Sequence, residues 1–240
     1  MTNINIYGSI FGQTGYDNHV RGLCNALYKL NPSIYLECNK PVDWVRYSNT
    51  AEMNMMTIQP FKDAVDIMIN LPPYWKNILS NKPKHFIGWC VWEGTTIPKY
   101  WTDIFNIENI SAIIVPSNHT LKAIQNTLQT SLNLKIHVIP HGVNSSLFKP
   151  RTLEKPKNSK FTFIANKGWA QGINDRGGIQ WLLKAFSEEF KNDTDVQLIC
   201  KINISYCPWN WNFINEMQKI GLNPDDTKNI AFVLNNMNFD

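Results

Sequence analysis

The sequence predicts an α/β fold made of two doubly wound parallel-sheet domains, the second incomplete, and three observations carry that expectation. Short apolar or β-branched runs alternate with helical periodicity through residues 1–150, the pattern of a parallel sheet joined by crossover helices. The alternation begins afresh at Phe161. Between the two series stands Ile-Pro-His-Gly-Val-Asn-Ser-Ser-Leu-Phe-Lys-Pro at 139–150, where Pro140 and Pro150 hold the chain extended and Gly142 permits close backbone approach. The polar stretch 151–160, with its Lys and Pro, reads as an exposed linker, so the domains are expected at 1–150 and 151–240.

Taken in order, residues 3–7 form a strand, a loop with Gly12 and Gly15 follows, and then a helix that Asp17 or Asn18 caps. Val20, Leu23, Leu27 and Leu30 mark its core face at helical spacing. Residues 34–38, 55–58 and 64–70 read as strands, the last stopped by Pro72 and Pro73. Residues 86–92 are apolar throughout, which suits a strand buried on both faces. A helix through Trp101 and Phe105 follows, then strand 112–115, a helix capped by Ser117, and strand 136–139. The second domain opens with strand 161–165 and a glycine-containing loop over 166–178. An amphipathic helix carrying Ile179, Leu182, Leu183, Phe186 and Phe190 comes next, then strand 196–202, a helix over 210–220 and strand 230–233.

Composition narrows the function classes. With 43% hydrophobic and 18% charged residues in 240, the chain belongs with soluble globular proteins. The net charge of +4 is spread as +3 before and +1 after residue 150, which is not a nucleic-acid footprint. Five cysteines without a C-x-x-C pair read as reduced thiols of a cytoplasmic protein. The amino terminus enters a strand directly, without the apolar core of a signal peptide, and no apolar run approaches the ~20 residues of a membrane helix. No metal-ligand spacing and no G-x-S-x-G elbow occurs.

An ordered set of short motifs resembles the retaining GT-B glycosyltransferases that use nucleotide-sugar donors. The set is the glycine loop, Trp92-Glu93 followed by Ile97-Pro98 and Trp101, Val115-Pro116-Ser117, and Ile139-Pro-His-Gly-Val-Asn144 with Phe148 and Pro150. It continues as Asp175-Arg-Gly-Gly178 leading into Leu182-Leu183-Lys-Ala-Phe186. The resemblance implies two Rossmann-like domains, the first on the acceptor side and the second on the donor side. It also implies sugar transfer with retained configuration to a glycan or lipid-linked acceptor, with peripheral membrane contact in the latter case. Neither a cofactor nor an obligatory metal is implied.

The same resemblance assigns candidate residues. A departing diphosphate needs cations and N–H dipoles where negative charge builds. Gly12 and Gly15 match the family's phosphate-facing glycine loop, and Arg176 matches its diphosphate-binding Arg. Gly177 stands where many members carry Lys, which leaves Lys167 or Lys201 to supply the second cation. Glu93 follows the 86–92 strand, where open α/β sheets bind ligands, and is the candidate cleft carboxylate for sugar hydroxyls. Many members have a His near this position, whereas Val91 and Trp92 stand here. Tyr16, Trp92, Ser117 and Gly142 complete the expected acceptor and sugar cleft, while His119 and His141 read as structural or surface residues.

The family's pair of Glu separated by seven residues is absent, so the chain reads as an amino-terminal fragment, with 151–240 expected to be less stable than 1–150. Two other readings stand beside the enzyme. One is a non-catalytic relative that acts as a binding or partner subunit. The other is an NAD-binding protein, kept open by Glu37 after the second strand and weakened by a first loop that is not G-x-G-x-x-G.

Overall fold

The computed structural model describes residues 2–10, 14–38, 59–128, 135–150, 159–169, 171–203, 207, 210–223 and 227–234. The strand expected at 55–58 lies outside them. The chain divides into two compact units, Met1–Lys149 and Pro150–Asp240.

In the first unit six parallel strands pair in the order β2-β1-β3-β4-β5-β6. They are β1 (Ile4–Gly8), β2 (Ile34–Cys38), β3 (Val65–Ile69), β4 (His85–Trp89), β5 (Ile110–Val115) and β6 (Ile136–Val138). The winding direction reverses between β1 and β3, the switch point at which such sheets open a crevice beyond the strand ends. Gly8 aligns with Ile69, and Ile69 with Trp89, so the carboxyl ends share one edge.

Alternate residues face opposite sides of this sheet. Ile6 and Ile69 join a core with Val20 and Cys24 of helix α1 (Gly15–Leu30), while Met68 joins the core around Trp75, Phe86, Trp101 and Phe105. Two glycines allow these approaches. A Cβ on Gly8 would lie 2.7 Å from Val20 Cγ2, and one on Gly88 would lie 2.3 Å from the Trp75 ring. Trp75 ends a 3-10 turn, Pro72–Trp75, which leads into the short helix α2 (Lys76–Leu79). The helix through Trp101 and Phe105 is a 3-10 turn, Lys99–Trp101, continued by α3 (Thr102–Phe105), and α4 (Asn118–Leu128) follows β5.

Two sequence expectations are corrected here. Helix α1 is capped by Thr14, not by Asp17 or Asn18: Thr14 Oγ1 accepts from the Asp17 N–H at 3.2 Å, and Asp17 Oδ2 accepts from the Thr14 N–H at 3.1 Å. Asp17 is the far half of a capping box. Strand β4 also stops three residues short of Trp92. The Cys90 N–H still donates to Ile114 O at 3.1 Å, but the next N–H, that of Val91, donates to the Tyr16 hydroxyl, and the ladder ends there.

The second unit holds β7 (Phe161–Lys167), β8 (Val196–Ile202) and β9 (Ile230–Val233), parallel and in that order. Helix α5 (Ile179–Phe190) packs Ile179, Leu183 and Phe186 against Leu198, Cys200 and Ile202 of β8. Helix α6 (Phe213–Lys219) starts three residues later than the sequence suggests, because the Asn212 side chain caps it by accepting from the Asn215 N–H at 3.0 Å. Strand β7 runs two residues beyond the expected 165, so Lys167 ends a strand. Cys24, Cys90 and Cys200 are buried free thiols.

Candidate functional site

At the carboxyl edge of the first sheet the segment after β4 is held on both sides. From α1, the half-buried Tyr16 hydroxyl accepts the Val91 N–H at 3.1 Å; burial pushes this phenol up to about 12, so it stays protonated. From α4, Thr120 Oγ1 donates to Trp92 O at 3.1 Å, and His119 Nε2 donates to Glu93 O at 2.9 Å. Ser117 Oγ accepts the Thr120 N–H at 3.2 Å, capping α4 so that Thr120 points at that segment. Trp92 is similarly committed: its indole N–H donates to Thr96 O at 2.6 Å, and its ring meets Trp101 edge-on at 4.9 Å. The Glu93 side chain is exposed on this held segment. Tyr16, Trp92, Glu93 and Ser117 therefore share one edge, with His119 in the structural role expected of it.

The glycine positions fall elsewhere. Gly12 lies outside the described residues. Gly15 opens α1 with nothing within 4 Å of the place its Cβ would occupy, and the Thr14–Asp17 box already uses the Asp17 N–H of that first turn. Gly142 borders a separate cleft of about 430 Å³ between α1 and the segment after β6.

That cleft contains the residue the sequence reading missed. His19 on α1 approaches His141 with Nδ1 to Nδ1 at 2.9 Å, and its ring stands edge-on to Trp89 at 4.5 Å. One imidazole donates and the other accepts, which requires at least one neutral ring. Burial, and then the neighbouring His141, push His19 down to about 4; burial also lowers His141. Lys29 is the cationic side chain lining the same cleft. Sequence gives no signal for the pair, since its members are 122 positions apart.

In the second unit the register Lys167↔Ile202 brings Lys167 and Lys201 to the carboxyl edge of β7 and β8. Lys201 is turned to the backbone of the next residue, Nζ donating to Ile202 O at 3.1 Å, and burial lowers its ammonium. The loop after β7 is organised by Asp175, a buried carboxylate that accepts the Gln171 N–H at 3.2 Å and the Gly177 N–H at 2.7 Å. Gln180 Nε2 donates to Asp175 O at 2.8 Å. Arg176 stands exposed on this held turn. A Cβ at Gly177 would lie 2.7 Å from Asp175 Oδ1, so a side chain at this position requires the Asp175 carboxylate to shift. Among the described residues no three His, Cys, Asp or Glu side chains gather as a metal site would require, and no helix is long and apolar enough to cross a membrane.

In fold the chain is similar to a sucrose-phosphate synthase. The solved structure of that protein from Thermosynechococcus elongatus matches with a TM-score of 0.59, over 98% of this chain and 71% of the other. Sequence identity across the match is 14%, so the likeness is one of fold. No protein-family model and no curated protein matches the sequence. The α/β, GT-B-like architecture expected from the motifs is the one found, with parallel sheets of six and three strands.

Proposed function

We propose that the chain belongs to a glycosyltransferase that moves a sugar from a nucleotide-sugar donor to a glycan or lipid-linked acceptor with retained configuration. The observation that carries this reading is the fold likeness to a sucrose-phosphate synthase along 98% of the chain. In this account the first unit serves the acceptor and the second the donor. Arg176 on the Asp175-held turn and Lys167 at the end of β7 face the diphosphate, where cations stabilise the charge that develops as the bond to the sugar breaks. Lys201 is the weaker candidate because its ammonium is tied to Ile202 O. Glu93 hydrogen-bonds sugar hydroxyls from the pinned edge of the first sheet, beside Tyr16, Trp92 and Ser117. No step requires a metal or cofactor.

The test is release of nucleoside diphosphate from a panel of UDP- and GDP-sugars by the full gene product. Arg176→Ala should lower turnover by roughly 10²-fold or more, the scale seen when one charge-stabilising group is removed. Glu93→Gln should act mainly on KM for the sugar or acceptor. No turnover and no nucleotide binding in the wild-type protein would leave the chain a non-catalytic binding partner.

A further inference from the structure

A second cleft, of about 440 Å³, opens in the second unit between the turn at 171–173 and the segment that runs from Asn210 into α6. Its lining is amide-rich: Gln171, Asn210 and Asn215 are exposed there beside Trp211 and Glu216. Glu216 is only 8% exposed, and a carboxylate so deeply placed needs partners for both oxygens. Lys219 Nζ serves Oε1 at 2.6 Å. Oε2 is buried with no hydrogen-bond partner, and so is the donor Nε1 of Trp211.

One cleft therefore holds an unused acceptor and an unused donor. Gly172 keeps room beside the acceptor. Its φ is +55°, a Cβ on it would lie 2.6 Å from Oε2, and the Glu216 carboxyl is all that approaches that position within 4 Å. A side chain at 172 would close the space from which a ligand hydroxyl reaches the oxygen.

We propose that this cleft binds a neutral carbohydrate. Lys219 already balances the Glu216 charge, which disfavours both cations and anions as occupants. One sugar hydroxyl can donate to Oε2 and another can accept from Trp211 Nε1, and the exposed amides suit neighbouring hydroxyls, since each offers a donor and an acceptor in one plane. Carboxylate, amides and indole together match a ring bearing several hydroxyls and an apolar C–H face. The inference goes beyond the transfer reading and does not rest on it, because no nucleotide or phosphate is involved.

The experiment is saturation-transfer NMR and calorimetry on the whole protein with glucose, galactose, mannose, N-acetylglucosamine and sucrose, each without nucleotide. Saturable binding in the millimolar range is expected for at least one. Glu216→Gln should weaken it about tenfold or more, as loss of a charge-assisted hydrogen bond does. Asn215→Ala, an exposed change that leaves the backbone N–H on Asn212, should weaken it several-fold with an unchanged circular dichroism spectrum. Trp211→Phe separates the N–H from the ring face. Arg176→Ala should leave sugar binding intact while lowering nucleotide-sugar turnover, which keeps the two proposals separable. No saturation with any of these sugars, equal affinity in all three cleft variants, or binding of Mg²⁺ or Ca²⁺ at Glu216 would overturn the inference.

Discussion

The two sheets differ in how their apolar residues are covered. In the first unit β1, β3 and β4 lie inside the sheet, and their side chains feed two cores, one on each face. In the second unit β7 forms an edge, with Phe161 58% and Ile164 76% exposed, while its neighbour β8 buries Leu198, Cys200 and Ile202. The loops differ in the reach of their partners. The segment after β4 is tied from α1 and α4 by the bonds of Tyr16, His119 and Thr120, whereas the loop after β7 is tied by residues within a few positions: the Asp175 carboxylate, the Trp169 indole and the Gln180 amide. A loop at a sheet edge can thus be fixed by partners distant in sequence or by local ones.

The largest expected effect breaks the better-covered unit. Trp75→Ala removes a fully buried indole from the core beneath Gly88 and should cost about 3–5 kcal/mol of the first unit's stability, read by urea unfolding of that unit's signals. Gly88→Ala tests the same contact from the other side, since its Cβ would enter the Trp75 ring. A cost below ~1 kcal/mol for both would mean that the two do not pack as described.

Next in size is Asp175→Ala, which leaves the Gln171 and Gly177 N–H groups without their acceptor. The expected loss is about 1–3 kcal/mol, with faster amide exchange over 171–178 and none over the segment after β4. Exchange that stays slow in both places would show that the turn does not depend on Asp175.

A smaller effect is pH dependence in the first unit. His19 titrates near 4 when folded and near 6.5 when unfolded, so the unfolded chain binds more protons between those values. Stability should therefore fall as pH drops from about 6.5 toward 4 and be flat above that window, and His19→Gln should remove part of the slope. A melting temperature equally pH-dependent with and without His19 contradicts this. The smallest effect is Ile164→Lys on the exposed edge, expected to change stability by less than ~0.5 kcal/mol and to reduce self-association in light scattering.

Much of the fold was legible because strand runs and helix periodicity are local. The β-branched and apolar runs found β1, β8 and β9 almost to the residue, and Leu183 and Phe186 disclosed the buried face of α5. What escaped depended on partners far off in sequence. The end of β4 is set by Tyr16, 75 positions from Val91, and His19 gains meaning from Trp89 and His141. The cap of α1 escaped for a different reason: Thr14 and Asp17 are both good capping types, and only backbone geometry shows which end of the box each occupies. Sequence also could not show that Gly177 stands where a Cβ would meet the Asp175 carboxylate at 2.7 Å.

The most direct test of the central claim is competition among UDP, GDP and NAD for the purified protein, followed by calorimetry on wild type and Arg176→Ala. A nucleoside diphosphate should bind saturably, outcompete NAD, and lose at least tenfold in affinity when the Arg176 guanidinium is removed. Preferential binding of NAD, or diphosphate binding indifferent to Arg176, would contradict it.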